Sequence, residues 1–258
     1  MHSVLEKIIG DRRTGVDRSS EHRSALEMAI STMPAPADGL AALGAPGLRI
    51  IAEVKRRSPS EGALREGVVP AALASSYEAA GAAAISVLTE EMHFGGTLAD
   101  LKSVAESVAL PCLRKDFIVS EVQILEARAA GAALILLIVA ALSDDELRRF
   151  MAFSEALGLQ ALVEVHTEEE TRRALGANAR IIGVNNRNLH TLSIDLQTAE
   201  QLRPIIGTQA VAVAESGIRD AGDIQRLHAV GYNAFLVGSS LMKAPDPSLM
   251  LRELLQQT

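Results

Sequence analysis

Residues able to move protons recur in this chain directly after short apolar runs. Glu53 and Lys55 follow Leu48 to Ala52, Lys115 follows Leu110 to Arg114, and Glu164 follows Ala161-Leu162-Val163. Asn185 and Arg187 follow Arg180 to Val184, and Glu215 follows Ala210 to Ala214. Both signs are in balance, with Glu53, Glu164 and Glu215 set against Lys55, Lys115 and Arg187. An isolated buried charge is costly, so such groups must pair or be wet if they meet in one cavity. A ring of acids and cations shifts pKa values in both directions and supplies general acids and bases near neutral pH. A lysine beside another lysine moves toward neutrality, and a carboxyl among apolar or acidic neighbours moves upward. Two corners, Ala214-Glu215-Ser216-Gly217-Ile218 and Val237-Gly238-Ser239-Ser240-Leu241, add small residues that let a phosphate approach backbone N–H groups. Taken singly, each charge reads as a solvated residue just past a strand. The joint pattern points to a site for a small phosphorylated molecule.

The elements that must position these groups are eight apolar runs of strand length, at 48–53, 83–88, 110–115, 133–138, 161–165, 180–184, 210–214 and 234–238. Each interval has room for one helix and two loops. Ser120 to Ala130 puts Val122, Ile124, Leu125 and Ala129 near one helical face, and Ser143-Asp144-Asp145-Glu146 opens the next helix as a cap. Strands apolar on both faces, joined by crossover helices, pair in parallel under helical cover. Eight such units predict a single α/β domain over 1–258, a closed (β/α)8 TIM barrel, with residues 1–46 as an N-terminal helical extension. Within that extension Glu21 to Thr32 reads as a helix, covering either the bottom of the barrel or its mouth. An open doubly wound sheet needs a Gly-rich turn after its first strand, and the chain there reads Glu53-Val54-Lys55-Arg56-Arg57-Ser58-Pro59-Ser60.

Barrel chemistry sits at strand C-termini, and residues two apart on a strand share a face. Ile51, Glu53 and Lys55 form one such set. Leu113, Lys115 and Phe117 form another, as do Leu162 and Glu164, then Gly183, Asn185 and Arg187, then Val213 and Glu215. If the apolar members point inward, the charged members do too.

Composition narrows the partners. Of 258 residues, 25 are Lys or Arg and 32 Asp or Glu, a net charge of −7, which disfavours nucleic acid and anionic membranes as partners. Aromatics are only 3% with no Trp, so base stacking is disfavoured as well. The longest apolar run, Ala129 to Leu142, is too short to span a bilayer. The single cysteine, Cys112, excludes an intrachain disulfide framework and a Cys-based zinc cage, and suits a cytoplasmic protein. Its parity is opposite to that of Lys115, which makes it a small residue facing the helices rather than a nucleophile. Glu164 and His166 could suit a divalent metal, but no third ligand matches them, and no metal is expected. His93 reads as a loop residue.

Over nearly its whole length the chain resembles the indole-3-glycerol-phosphate synthase family. The likeness rests on Ile51 to Ser60, Leu113-Arg114-Lys115-Asp116-Phe117-Ile118, Leu162-Val163-Glu164-Val165-His166, Gly183-Val184-Asn185-Asn186-Arg187-Asn188-Leu189, Ala214 to Ile218 and Leu236-Val237-Gly238-Ser239-Ser240. It departs at Met92-His93-Phe94-Gly95-Gly96-Thr97, where the family shows an aromatic or basic residue before the Phe and a Gly-Ser after it. The resemblance implies cofactor-free ring closure of 1-(2-carboxyphenylamino)-1-deoxyribulose 5-phosphate, with loss of CO2 and water, in tryptophan biosynthesis. That activity is a carboxy-lyase. By the same likeness Lys115 protonates the ketone oxygen and Glu164 is the base of the later dehydration. Lys55 joins the catalytic set, and which lysine donates each proton stays open. Glu53 and Glu215 hold the cations, while Asn185 and Arg187 orient Glu164 or substrate oxygens. Ser58 lies near the substrate, Ser216, Gly217, Gly238 and Ser239 cradle phosphate, and Phe94, Phe117 and Leu236 flank the anthranilate ring. A monomer is expected, with contact to other tryptophan-pathway enzymes left open. The rival readings are a Schiff-base aldolase barrel using Lys55 or Lys115 and a barrel that binds a phosphorylated ligand without turnover.

Overall fold

Eight strands of continuous apolar sequence form the frame: β1 (Arg49–Val54), β2 (Ala84–Leu88), β3 (Cys112–Lys115), β4 (Leu134–Ile138), β5 (Gln160–Val165), β6 (Ile181–Asn185), β7 (Val211–Glu215) and β8 (Ala234–Val237). In this computed structural model, which describes residues 4–16, 19–65, 67–188 and 191–256, neighbouring strands pair in parallel in chain order. The first strand pairs with both β2 and β8, through Ile51 with Ala84 and Ala52 with Val237, and this closes the barrel. Leu189 and parts of the expected 1–46 extension lie outside the described residues. Strand β3 starts two residues later than the apolar run, because Pro111 has no N–H for the ladder; its carbonyl still accepts from the Ile85 N–H at 3.1 Å.

Alternation sorts the side chains into two cores. Ile51, Leu113, Leu134, Leu136, Leu162, Val213 and Leu236 pack together inside the barrel. Ile50, Ile85, Cys112, Ile135, Val163, Ile182 and Phe235 face outward and pack beneath the helices. Four of the aromatics lie in the outer layer, where Tyr77, Phe150, Tyr232 and Phe235 are fully buried and the Tyr232 hydroxyl donates to the Ala199 carbonyl at 2.9 Å.

The extension reaches three parts of the barrel through α1 (Val4–Gly15), α2 (Ser20–Ser31) and α3 (Gly39–Gly44). At the bottom α3 inserts Leu43, 1% exposed, among the inner residues, and Gly39 lies so close to the Leu134 side chain that a Cβ would overlap it. Along the side runs α2, beginning one residue before the expected Glu21. The mouth is approached by α1, which falls within the helical extension expected over 1–46. Its Ile8 is buried, and Arg12 and Arg13 pair with Asp116 at 2.6 Å and Glu146 at 3.0 Å.

The crossover helices are α4 (Pro70–Ala79), α5 (Glu91–Phe94) with α6 (Leu98–Ala105), α7 (Glu121–Ala129), α8 (Asp144–Ala156), α9 (Glu168–Gly176), α10 (Gln197–Ile206) and α11 (Ala221–Ala229), followed by α12 (Ser239–Lys243) and α13 (Pro247–Leu255). Ser120 caps α7, and Ser143 with Glu146 forms a reciprocal capping box on α8, as their spacing predicts. The departing segment folds around Glu90, whose carboxylate accepts from the N–H groups of Met92, His93 and Phe94. Gly95 then ends α5 in the left-handed region, at φ 66°. Gly96 lies against the Leu88 carbonyl with no space for a Cβ.

Candidate active site

Every residue singled out above as catalytic or substrate-binding lines one cavity of about 910 Å3 at the C-terminal mouth of the barrel. The inward set arrives from five strand ends. Lys115 of β3 is central, with Nζ 3.1 Å from Glu164 Oε2 and 3.5 Å from Glu215 Oε2. Asn185 of β6 donates from Nδ2 to Glu164 Oε1 at 3.0 Å and accepts the Arg187 backbone N–H at 3.0 Å. On β1 and the loop after it, Lys55 Nζ lies 2.7 Å from Glu53 Oε1. Two glycines make space for these carboxylates: a Cβ at Gly183 would overlap Glu215, and one at Gly238 would overlap Glu53.

Burial and pairing divide the two acids that meet Lys115. Burial raises the Glu164 carboxyl, but Lys115, His166 and Asn185 outweigh it and hold the group well below the usual carboxylate range. Burial also raises Glu215, and the Glu164 and Glu53 charges add to it, so that despite Lys115 this carboxyl is pushed up to about 8. Its Oε1 is buried without a hydrogen-bond partner among the described residues. An ionised carboxylate and a proton-holding carboxyl therefore flank one ammonium group. Lys115 itself is corrected relative to the sequence expectation of a depressed lysine: burial alone would lower it, but its neighbours are Glu164, Glu215 and Glu53, which keep it cationic.

The two small-residue corners meet at one side of the cavity. Ser216 and Gly217 have φ of 62° and 86°, a left-handed pair that reverses the chain directly after Glu215. Asn186 anchors that turn by donating to the carbonyls of Glu215 at 3.0 Å and Ser216 at 3.1 Å. Gly238 and Ser239 open α12, and the Ser240 hydroxyl donates to the Ile218 carbonyl, tying the two corners together. Apolar wall comes from Phe94 and Phe117, whose ring centroids are 6.1 Å apart, and from Leu236. Ser58 belongs to a two-strand hairpin, Arg57–Ser58 with Gly62–Ala63, in the loop after β1.

The Arg187 side chain plays another part than expected, and Cys112 the part its parity gave it. The Arg187 side chain does not hold Glu164; its Nη1 donates to the Leu192 carbonyl at 3.1 Å. His166 packs against Glu164 and Glu170, and the described residues contain no group of three or more His, Cys, Asp or Glu arranged to hold a metal. Cys112 faces the helices, and burial pushes its thiol up to about 12, which makes it inert.

Other lining residues were not singled out: Ile8 from α1, Leu192 and Ile194 from the loop after β6, and Glu61 with Lys243. Glu61 accepts from Ser239 and lies 2.6 Å from Lys243, joining the first loop to α12. Arg114 is the largest unforeseen group. It is 1% exposed and donates to Thr89, Gln123, Glu126 and Asp116 behind the site. A strand of alternating parity carries no signal for such a network, since its partners come from elements far along the chain.

A closed (β/α)8 barrel with paired carboxyl groups and lysines gathered at its C-terminal mouth is the architecture of a barrel enzyme. Among solved structures it is similar to 3-hexulose-6-phosphate synthase, with a TM-score of 0.63 and 15% identity over 81% of this chain and 99% of that one. It is also similar to thiamine phosphate pyrophosphorylase from Pyrococcus furiosus, with a TM-score of 0.61 and 17% identity over 81% and 94%. These likenesses show the fold alone. The family model for indole-3-glycerol phosphate synthase matches residues 5–254. Indole-3-glycerol phosphate synthases from Nocardioides sp. (strain ATCC BAA-499 / JS614) and Parafrankia sp. (strain EAN1pec) are 51% and 48% identical, covering 98% of this chain and 98% and 95% of theirs. The chain belongs to the indole-3-glycerol phosphate synthase family.

Proposed function

We propose that this protein closes the indole ring of 1-(2-carboxyphenylamino)-1-deoxyribulose 5-phosphate as a carboxy-lyase, releasing CO2 and water and leaving indole-3-glycerol phosphate. One observation carries the reading: Lys115 Nζ lies 3.1 Å from Glu164 in the cavity that also holds the Ser216-Gly217 and Gly238-Ser239 corners. Phosphate at those corners fixes one end of the substrate, and Phe94, Phe117 and Leu236 fix the anthranilate ring at the other. Positioning of this kind converts much of the entropic barrier into binding.

In the first step the carboxyl-bearing ring carbon attacks the ketone carbon. The C=O electron pair moves to oxygen, which takes a proton from Lys115, cationic beside its carboxylates. Lys55, paired with Glu53, supports the same developing charge. The bond to the carboxylate then breaks, CO2 leaves, and its electron pair restores the aromatic ring. Finally the new hydroxyl departs as water with a proton from the lysine side, while Glu164 takes the proton of the adjacent carbon and the double bond forms. Glu215 holds a proton within reach of Lys115 for its recharging. Only protons, CO2 and water are exchanged, so atoms and electrons balance without a redox partner.

Asn185 orients Glu164, and Arg187 faces substrate oxygens from the rim of the cavity. A barrel acting alone in the cytoplasm fits the single buried cysteine and the absence, among the described residues, of any helix long and apolar enough to cross a membrane. The test is incubation of the purified protein with the anthranilate ketose phosphate under indole fluorescence. Stoichiometric product is expected. No signal at high enzyme concentration would favour a binding role, and a borohydride-reduced adduct on Lys55 or Lys115 would favour the Schiff-base route.

A further inference from the structure

The loop between β5 and α9 places one more ionisable group against the proposed base. The His166 side chain is 11% exposed and lies between two carboxylates. Its Nε2 is 3.4 Å from Glu164 Oε1 and its Nδ1 is 3.2 Å from Glu170 Oε2. That second carboxylate is itself fixed, because its Oε2 also accepts the His166 backbone N–H at 2.7 Å. The Glu170 N–H in turn donates to the Thr167 hydroxyl at 3.2 Å, at the capped start of α9.

An ionised carboxylate only accepts hydrogen bonds, and a neutral imidazole carries one N–H and one lone pair. The Nδ1 contact is a hydrogen bond, whereas Nε2 is buried without a hydrogen-bond partner among the described residues and has the Glu164 carboxylate as its near charge, so either neutral tautomer would set a lone pair beside an anion. Only the protonated ring offers a donor on both sides. We propose that His166, clamped by Glu170, is a positioning residue that stays cationic beside Glu164 and holds that carboxylate ionised and aimed into the cavity. The inference rests on the reading of Glu164 as the base.

Other groups around the pair fit this role. Lys115 of β3 occupies the second oxygen of Glu164, Asn185 of β6 shares its first, and the proton-holding Glu215 of β7 lies beyond Lys115, 3.5 Å from its Nζ. Burial opposes charge on His166, yet the carboxylates of Glu164 and Glu170 outweigh it and push the ring up to about 9.

Two readouts test the proposal on the intact protein. Nitrogen NMR of the histidine rings at pH 7 is expected to find both His166 nitrogens protonated, and Glu170→Gln is expected to lower the titration midpoint by about one pH unit. In the pH profile of kcat/KM, His166→Gln is expected to move the acid limb upward by about one unit, because Glu164 loses a neighbouring cation. A purely structural role would lower activity at every pH and leave the limb in place. A neutral His166 ring at pH 7, or an unmoved acid limb in folded His166→Gln, would overturn the proposal. If His166→Gln does not fold, NMR of the parent protein and of Glu170→Gln decides. If the parent protein makes no indole product, the reaction assignment fails, and ring protonation still decides the clamp.

Discussion

Glu164 and Glu215 are the same residue type near the ends of two inward-facing strands, yet they are driven in opposite directions. Glu164 is surrounded by Lys115, Asn185 and His166, whereas Glu215 shares one cation and has an oxygen without a hydrogen-bond partner among the described residues. The consequence for stability has a definite sign. The Glu215 carboxyl keeps its proton in the fold up to about 8, while in the unfolded chain it has the ordinary value of 4.5. Between those values the folded state binds more protons, so this group's contribution is full below about 4.5 and is lost as pH rises through about 8. Glu215→Gln is therefore expected to gain in melting temperature on the parent protein as pH rises from 5 to 9. A difference that stays flat across that range would show that Glu215 is ionised in the fold. Gly183→Ala tests the space this carboxylate needs. Its Cβ would displace Glu215, and a loss of about 1–3 kcal/mol in denaturant unfolding is expected.

At the scale of elements, the strands were legible because a parallel barrel buries both faces and writes each strand as an unbroken apolar run. The inward parity of Glu53, Lys115, Glu164, Asn185 and Glu215 was legible from the same alternation. What escaped was set by tertiary partners. The buried Ile8 and ion pairs to Asp116 and Glu146 hold α1 at the mouth, so its docking place, unlike its helicity, could not be read from the sequence. Arg114 reads as a charged strand residue until Asp116, Glu126 and Thr89 are seen around it. The role of His166 depends on Glu170, one of three consecutive glutamates in the first turn of α9, and nothing in the run marks which one turns inward. The bottom of the barrel, by contrast, depends on α3. Leu43→Ala is expected to cost about 2–5 kcal/mol in unfolding free energy with little change in KM, since the cavity lies at the opposite end. An unchanged unfolding midpoint would remove α3 as the plug of the inner core.

For the whole molecule, eight strands bring residues from Glu53 to Ser239 into one chamber, and a chain with a net charge of −7 still presents fixed cations and an anion corner there. The N-terminal segment holds both ends of this frame, closing the bottom through Leu43 and bordering the mouth through Ile8. The division of labour between Lys115 and Glu164 inside the chamber separates two products in time. Lys115→Ala and Glu164→Gln are each expected to lower kcat at least about a hundredfold. Single-turnover measurement of CO2 and indole together resolves which step each variant blocks. Lys115→Ala is expected to release neither, while Glu164→Gln is expected to release CO2 ahead of indole because only dehydration lacks its base. Indole formation at the parent rate in either variant, or CO2 release at the parent rate from Lys115→Ala, would contradict this division of labour.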